Sequence, residues 1–366
     1  MDVISLILAK FSFVWEIGLP FLVALTILVF VHELGHYLVA RWCDVKVEVF
    51  SIGFGPELKG WDDKNGTRWK ISAIPLGGYV KMFGESGSVI DESETAEKER
   101  DMTTEEESVS FYHKSLIQRT AIVFAGPLIN FLFAIVAFAC LFGTIGVPEP
   151  VDKDPLAIVG NVSTGGAADL GGLKSGDLIV KIGNDKITYF SDLKRVIEAI
   201  PNTKTIVVVR RLGTEISFDV MTGSRLVEDA TGKLNSHGLL GVSAKPSKVY
   251  YVRQNLFSAV GLGFERTFLF TVRILEYIRD ILVGKQAPDE LGGILRIAQI
   301  SGQVAELGVV SFISFLAVLS INLGLINLFP IPMLDGGHLA FYAIEALRGR
   351  PLGPKAQEYG YRIGLV

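Results

Sequence analysis

The sequence predicts a multi-pass α-helical membrane protein with a membrane-associated β-hairpin and an inserted soluble αβ domain. Three observations carry that reading. Apolar residues make up 49% of the 366 positions and the mean hydropathy is +0.40, high for a soluble chain. Three apolar segments reach the roughly 20 residues needed to cross a bilayer. Between them lie alternating and turn-forming stretches that read as strands and loops.

The first span runs from about Ile17 to Ala40 and ends residues 1–42. Its removal would delete the only cluster of polar side chains in the segment, so it reads as an anchor and not as a signal peptide. Residues 43–116 follow. Val45 to Phe50 alternates, Ile52 to Pro56 reads as a turn, and Arg68–Ile74 and Tyr79–Phe83 read as two strands joined by Pro75-Leu-Gly-Gly78. That edge, at Gly78, Tyr79 and Val80, is either part of a small platform or a place where an extended peptide adds a strand. Ser86 to Ser110 is acidic, with little to bury, and reads as a flexible loop.

The second span, Ala121 to Ile145, falls within residues 117–148. Residues 155–246 have the composition of an αβ domain. Strands are expected over Leu156–Val162 and Asp177–Ile182, with short helices at Gly165–Leu170 and from an N-cap at Ser191 through Ile200. A hairpin should join Thr205–Arg210 to Ile216–Val220. Residues 254–308 read as amphipathic helices at the membrane interface, because Glu265, Arg266, Arg273, Glu276, Arg279 and Asp280 salt an otherwise apolar run. The third span, Val309 to Phe329, belongs to residues 309–340, and residues 341–366 read as the start of an incomplete fourth helix.

Charge and cysteine content narrow the classes further. A net charge of −4 gives no reason to expect a nucleic-acid partner. Cys43 and Cys140 lie in or beside apolar runs and read as unpaired packing residues.

Chemistry is concentrated in His32-Glu33-Leu34-Gly35-His36, at the end of the first span. Two imidazoles and a carboxylate in hydrocarbon cost several kcal/mol each, roughly, unless paired or bound. Residues four apart share one helix face, so His32 and His36 can grip one metal ion while Glu33 handles a proton of water. Zinc suits such ligands, and a hydrolytic site needs a third protein ligand. Asp335 is favoured, because Pro330, Pro332, Gly336 and Gly337 break the end of the third span around it. His338, one turn on, is the alternative, and an N-cap is Asp335's plainer role. Asn327 either bonds a neighbouring helix or donates to a substrate.

These motifs resemble the site-2 protease family of intramembrane zinc metalloproteases. The resemblance rests on HELGH, on Gly126-Pro-Leu-Ile-Asn130 and on Asn327 to His338. It is strongest to the bacterial regulator-of-sigma-E protease branch, and it extends to Ile74–Lys81 and to Gly172–Asp177, which looks like part of a PDZ domain. The resemblance implies that His32, His36 and Asp335 bind Zn2+, that Glu33 is the catalytic base and that Asn327 contacts substrate. It also implies a hairpin presenting unwound transmembrane segments of single-pass membrane proteins to the metal, with peptide C-termini as ligands of the PDZ domain. The expected location is the bacterial inner (plasma) membrane, with the site facing the cytosol and the PDZ domain periplasmic. Arg41, Lys46, Lys114 and Arg119 flank the first two spans on one side, in keeping with a cytosolic loop. The branch's familiar members carry two PDZ domains, and this chain has room for one. A membrane-anchored PDZ scaffold with an inactive peptidase fold is the alternative.

Overall fold

The computed structural model describes residues 14–85, 102–152, 154–228, 234–245, 248–284 and 293–350. Of the expected fourth helix only 341–350 is described, and 341–348 continues a helix that begins at Asp335; the rest of it, and most of the expected acidic loop, lie outside the described residues. The chain divides into two compact units, Val147–Val252 and the remainder.

In the larger unit a π-helical turn, Val14–Gly18, leads into α1, Leu19–Trp42. Two long strands follow, β1 over Val47–Asp62 and β2 over Arg68–Met82. A short helix α2, Thr104–Val109, precedes α3, Leu116–Thr144. Helix α1 with its preceding turn, and α3, are long and apolar enough to span a membrane.

The expected hairpin is more elaborate than the sequence implied. The two halves of β2 do not pair with each other across Pro75–Gly78. Each pairs with the same stretch of β1, so that Phe50 faces Val80 on one side and Trp69 on the other. The far half of β1 folds back to pair Trp61 with Trp69 and Asp62 with Arg68. Two strands thus make four rows, with 49–52 and 68–71 side by side in the same direction at the centre, the outer rows antiparallel to them, and 78–82 as one outer edge. The chain reverses at the expected turn, Ile52–Pro56, which lies inside β1 and where Gly53 and Gly55 take φ of 90° and 85° that a side chain would resist. The loop expected over Ser86–Ser110 is also corrected at its end. Thr103 and Glu106 cap each other reciprocally, which is enough to start α2.

One face of this sheet seats on α1. Phe50 is fully buried, stacks on Trp69 at 4.3 Å and meets Tyr37 edge-on at 5.7 Å. Asp63 ties the sheet to the helix. Its carboxylate accepts from the Tyr37 hydroxyl (3.0 Å), the Trp69 indole (3.1 Å) and the amides of Asn65 and Thr67. Burial opposes the charge, but those four donors outweigh it and bring the carboxyl down to about 2. A folded value below the unfolded 3.8 means that the stabilisation is present above pH 3.8 and is lost as pH falls through about 2. Asp63→Asn should therefore destabilise this unit by roughly 1–2 kcal/mol at neutral pH. The difference from the parent should vanish near pH 2 in thermal melts; a difference that persists there would contradict the assignment.

The smaller unit begins and ends on a pair of strands, β3 (Val147–Pro150) and, later, β12 (Val249–Val252). Between them come β4 (Val159–Val162), α4 (Ala167–Leu170), β5 (Leu178–Ile182), β6 (Asp185–Lys186) and α5 (Phe190–Glu198). The run closes with β7 (Lys204–Arg211), β8 (Thr214–Met221), β9 (Gly223–Glu228), β10 (Leu234–Leu239) and β11 (Val242–Ala244). Strands β6-β5-β7-β8 form one antiparallel sheet. Its buried Ile179, Val207, Val209 and Val220 share a core with Leu193 and Ile197 of α5. The expected N-cap is corrected here: α5 starts two residues earlier, with Tyr189 rather than Ser191 at the cap position. The Tyr189 amide donates to Asp192, leaving Ser191 inside the first turn.

The larger unit resumes with α6, Leu256–Leu282, then α7, Ile294–Glu306, and α8, Val309–Leu328. Helix α8 is the third with spanning length. Helix α6 lies against α3, with Gly263 at the Ile135 carbonyl and Phe270 stacked on Phe138 at 6.0 Å. After a break at 329–334 the chain enters α9, Asp335–Arg348.

Candidate metal centre

The unbroken apolar run of α1 places His32 and His36 one turn apart on one face, with their Nε2 atoms 3.3 Å apart. Both rings are held from behind. His36 Nδ1 lies 2.9 Å from the Ile122 carbonyl, to which it donates, so Nε2 is left unprotonated as a ligand. His32 Nδ1 lies 3.0 Å from the side-chain amide of Asn130, which is fully buried. A His32 that ligates through Nε2 carries its proton on Nδ1 and needs an acceptor there. The Asn130 amide supplies one when its oxygen faces the ring, the two orientations being related by a half-turn.

Helix α3 approaches α1 this closely because the contact is made of small residues. A Cβ on Gly35 would stand 2.4 Å from the Ala125 carbonyl. One on Gly126 would stand 2.3 Å from His36 Nε2 and 2.9 Å from His32 Cε1.

The third donor arrives from α9. Residues 329–334 leave the helical path, and Met333 takes φ of 82°, uncommon for a residue with a side chain. Gly336 and Gly337 pass within 2.1 and 2.5 Å, from where a Cβ would be, of the Phe329 and Ile331 carbonyls. Only glycine permits so tight a return. Asp335 is not the N-cap of α9; Leu334 occupies that place. Asp335 Oδ2 points inward, 3.2 Å from His32 Nε2 and 3.5 Å from His36 Nε2. That oxygen is buried and, among the described residues, accepts no hydrogen bond. An orphaned carboxylate oxygen costs roughly 1–3 kcal/mol or more, a penalty that a cation would remove. Ligand atoms of His32, His36 and Asp335 all lie within 4.8 Å of one another, and two imidazoles with one carboxylate are a zinc-binding set. The residues fit the metal.

The other expected residues gather around this triad. Glu33 accepts a hydrogen bond from the Val80 amide on the outer edge of β2. Tyr79, Val80, Asn327 and His338 line the same cavity as the triad, whose volume is about 390 Å³. Gly78 packs beneath it, where a Cβ would meet Val29 at 2.9 Å. His338, the alternative third ligand, is outside the group of converging donors.

Sequence reasoning gave no role to Asn130 or to the Ile122 carbonyl. Gly126-Pro-Leu-Ile-Asn130 marked the segment as notable, but nothing local says which imidazole it serves. Asn130→Ala should weaken zinc binding about 10- to 100-fold, the usual cost of losing a group that orients a ligand. Asn130→Asp should restore most of it. Competition against a chelator of known affinity measures both, and unchanged affinity in the alanine variant would refute the role.

Comparison with known proteins agrees with this geometry. The model of Peptidase family M50 matches residues 20–366. A protein of Agrobacterium fabrum that bears the name of a zinc metalloprotease is 42% identical over 98% of this chain and 94% of its own. One from Rhizobium meliloti with the same kind of name is 41% identical over 94% of this chain and 91% of its own. The regulator of sigma-E protease RseP of Escherichia coli is 31% identical over 97% of this chain and 96% of its own. The chain belongs to peptidase family M50, the site-2 proteases, and is a zinc metalloprotease of that type.

Proposed function

We propose that the protein hydrolyses peptide bonds in or beside the transmembrane segments of single-pass membrane proteins. The observation that carries the reading is the orphaned Asp335 oxygen, converging with two imidazoles at the end of a spanning helix beside an outer strand edge. In this reading His32, His36 and Asp335 would hold zinc, which would supply Lewis acidity to the scissile carbonyl and to a water. Glu33 takes that water's proton and delivers it to the leaving amine. Its hydrogen bond from Val80 fixes the carboxylate against the edge where substrate lies. A helical substrate must unwind first, because its carbonyls are already bonded. The edge at Gly78, Tyr79 and Val80 offers an extended chain main-chain partners, and Asn327 donates to it from across the cavity.

The smaller unit is read as a PDZ domain. Support comes from its antiparallel sheet with two helices and from a groove of about 220 Å³ between α5 and the Gly238–Val242 stretch. Phe190, Leu193 and Leu240 line that groove, apolar as a peptide C-terminus would need. The alignment to RseP runs over 450 residues against the 366 here, in keeping with a single inserted domain in this chain. Location in the bacterial inner membrane, with the metal towards the cytosol and the PDZ domain in the periplasm, rests on the basic residues flanking α1 and α3. Regulated intramembrane proteolysis of an anti-sigma-factor-like protein, or clearance of signal-peptide remnants, fits such a layout.

The test uses purified protein and single-span model substrates, with and without a zinc chelator, and maps the cut. Cleavage within or next to the span that stops on chelation is expected. Chelator-resistant cleavage, or cleavage of soluble chains alone, would overturn the proposal.

A further inference from the structure

The cavity extends well past the metal. One wall is the end of β2 and the turn after it, at Val80, Met82 and Glu85, and the other is a single face of α9 through Asp335, His338 and Glu345. Glu33 and Tyr79 line the same space.

Its charges are not balanced. Glu345 is paired with Arg119 at 2.7 Å, with both side chains more than four-fifths buried, and Arg119 also lies 5.1 Å from the Tyr342 ring. That pair is neutral and closed. Glu33 and Asp335 belong to the zinc centre. Glu85 is left. One of its oxygens accepts weakly from the Met82 amide at 3.3 Å, and its own amide closes the turn onto the Met82 carbonyl. Among the described residues it forms no ion pair, and it lines the cavity.

Two consequences follow from that placement. Met82 is the next residue along from Val80 whose amide points outward, and Glu85 already occupies it. A substrate strand pairing along the edge from the zinc therefore runs out of partners there. The substrate side chain at that point meets a carboxylate with spare acceptor capacity. We propose that Glu85 is a specificity-determining residue that selects a Lys or Arg on one flank of the scissile bond. At about 3.3 Å per residue, the distance along the edge from Val80 past Met82 places that side chain roughly two to four residues from the cut. Membrane segments carry such residues on their cytosolic flank, which gives the selection a natural object.

The inference rests on the proteolytic reading above, and the experiment separates the two. Full-length enzyme is assayed on a single-span substrate carrying Lys, Ser or Glu at each of the four positions on either side of the cut. No zinc-dependent cleavage of any member would be a failure of the proteolytic reading. Given cleavage, the Lys substrate should exceed the Glu substrate in kcat/KM by about tenfold, at positions on one flank only. Glu85→Gln should bring that ratio to near one, and Glu85→Lys should invert it. A wild-type ratio near one, or a ratio that survives both substitutions, would overturn the proposal. Where Glu85→Gln cleaves too little to measure, Glu85→Lys on the Glu substrate decides. Recovered cleavage supports the selection, and none refutes it.

Discussion

Glu33→Gln is expected to lower turnover roughly 10²- to 10⁴-fold while leaving one zinc per chain, the range typical for loss of a positioned general base. The separation of the two effects follows from the geometry. Glu33 is not one of the three converging donors, so removing its charge leaves the triad intact. A glutamine keeps a carbonyl oxygen to accept from the Val80 amide, so the strand edge stays seated on α1. What it loses is basicity. Metal analysis alongside a cleavage assay checks both halves. Retained proteolysis would remove Glu33 from the mechanism, and lost zinc would make it a structural residue.

Gly126→Ala is expected to cost at least about 100-fold in zinc affinity, by placing one methyl group where a ligand sits. The added carbon would stand 2.3 Å from His36 Nε2 and 2.5 Å from its Cε1, far inside contact distance. The ring has nowhere to go. Its Nδ1 is held by the Ile122 carbonyl at 2.9 Å, and the residue is 8% exposed. The ring must therefore break that bond or the two helices must part, and either outcome moves Nε2 off the metal. Gly143→Ala on the same helix is the control. Its nearest neighbour is the Ala259 methyl at 3.8 Å, an ordinary contact, so affinity should not change. Equal zinc affinity in both variants would show that the close approach at Gly126 does not matter to the site.

The parts of this architecture that were legible in the sequence are those written in local pattern. The spans, the inserted αβ segment and the His32–His36 pair follow from hydropathy and helical period. Asp335 was legible because prolines and glycines break an apolar run around it, and backbone irregularity at membrane depth needs a reason. What stayed hidden depends on contacts far apart in the chain. Nothing near Arg68–Ile74 or Tyr79–Phe83 says that both will choose Val49–Ile52 over each other. The bend that permits it comes from the backbone angles at Gly53 and Gly55. Asn130 is 98 residues from His32 and looks like any polar residue inside an apolar helix. Glu85 falls between the expected strand Tyr79–Phe83 and the expected loop from Ser86, and neither reading gave it a role.

Gly35 at Ala125 and Gly126 at the imidazoles leave no slack between the first two spanning helices. A side chain at either glycine would collide with the facing helix, at the Ala125 carbonyl or at the imidazole rings. The paired rings and their supports must therefore travel as a single rigid body. The carboxylate is seated as firmly by other means: Gly336 and Gly337 lie against the Phe329 and Ile331 carbonyls, and the Arg119–Glu345 pair ties its helix to α3. All three donors should accordingly stand in place before the cation arrives, so that loading asks for little rearrangement around it.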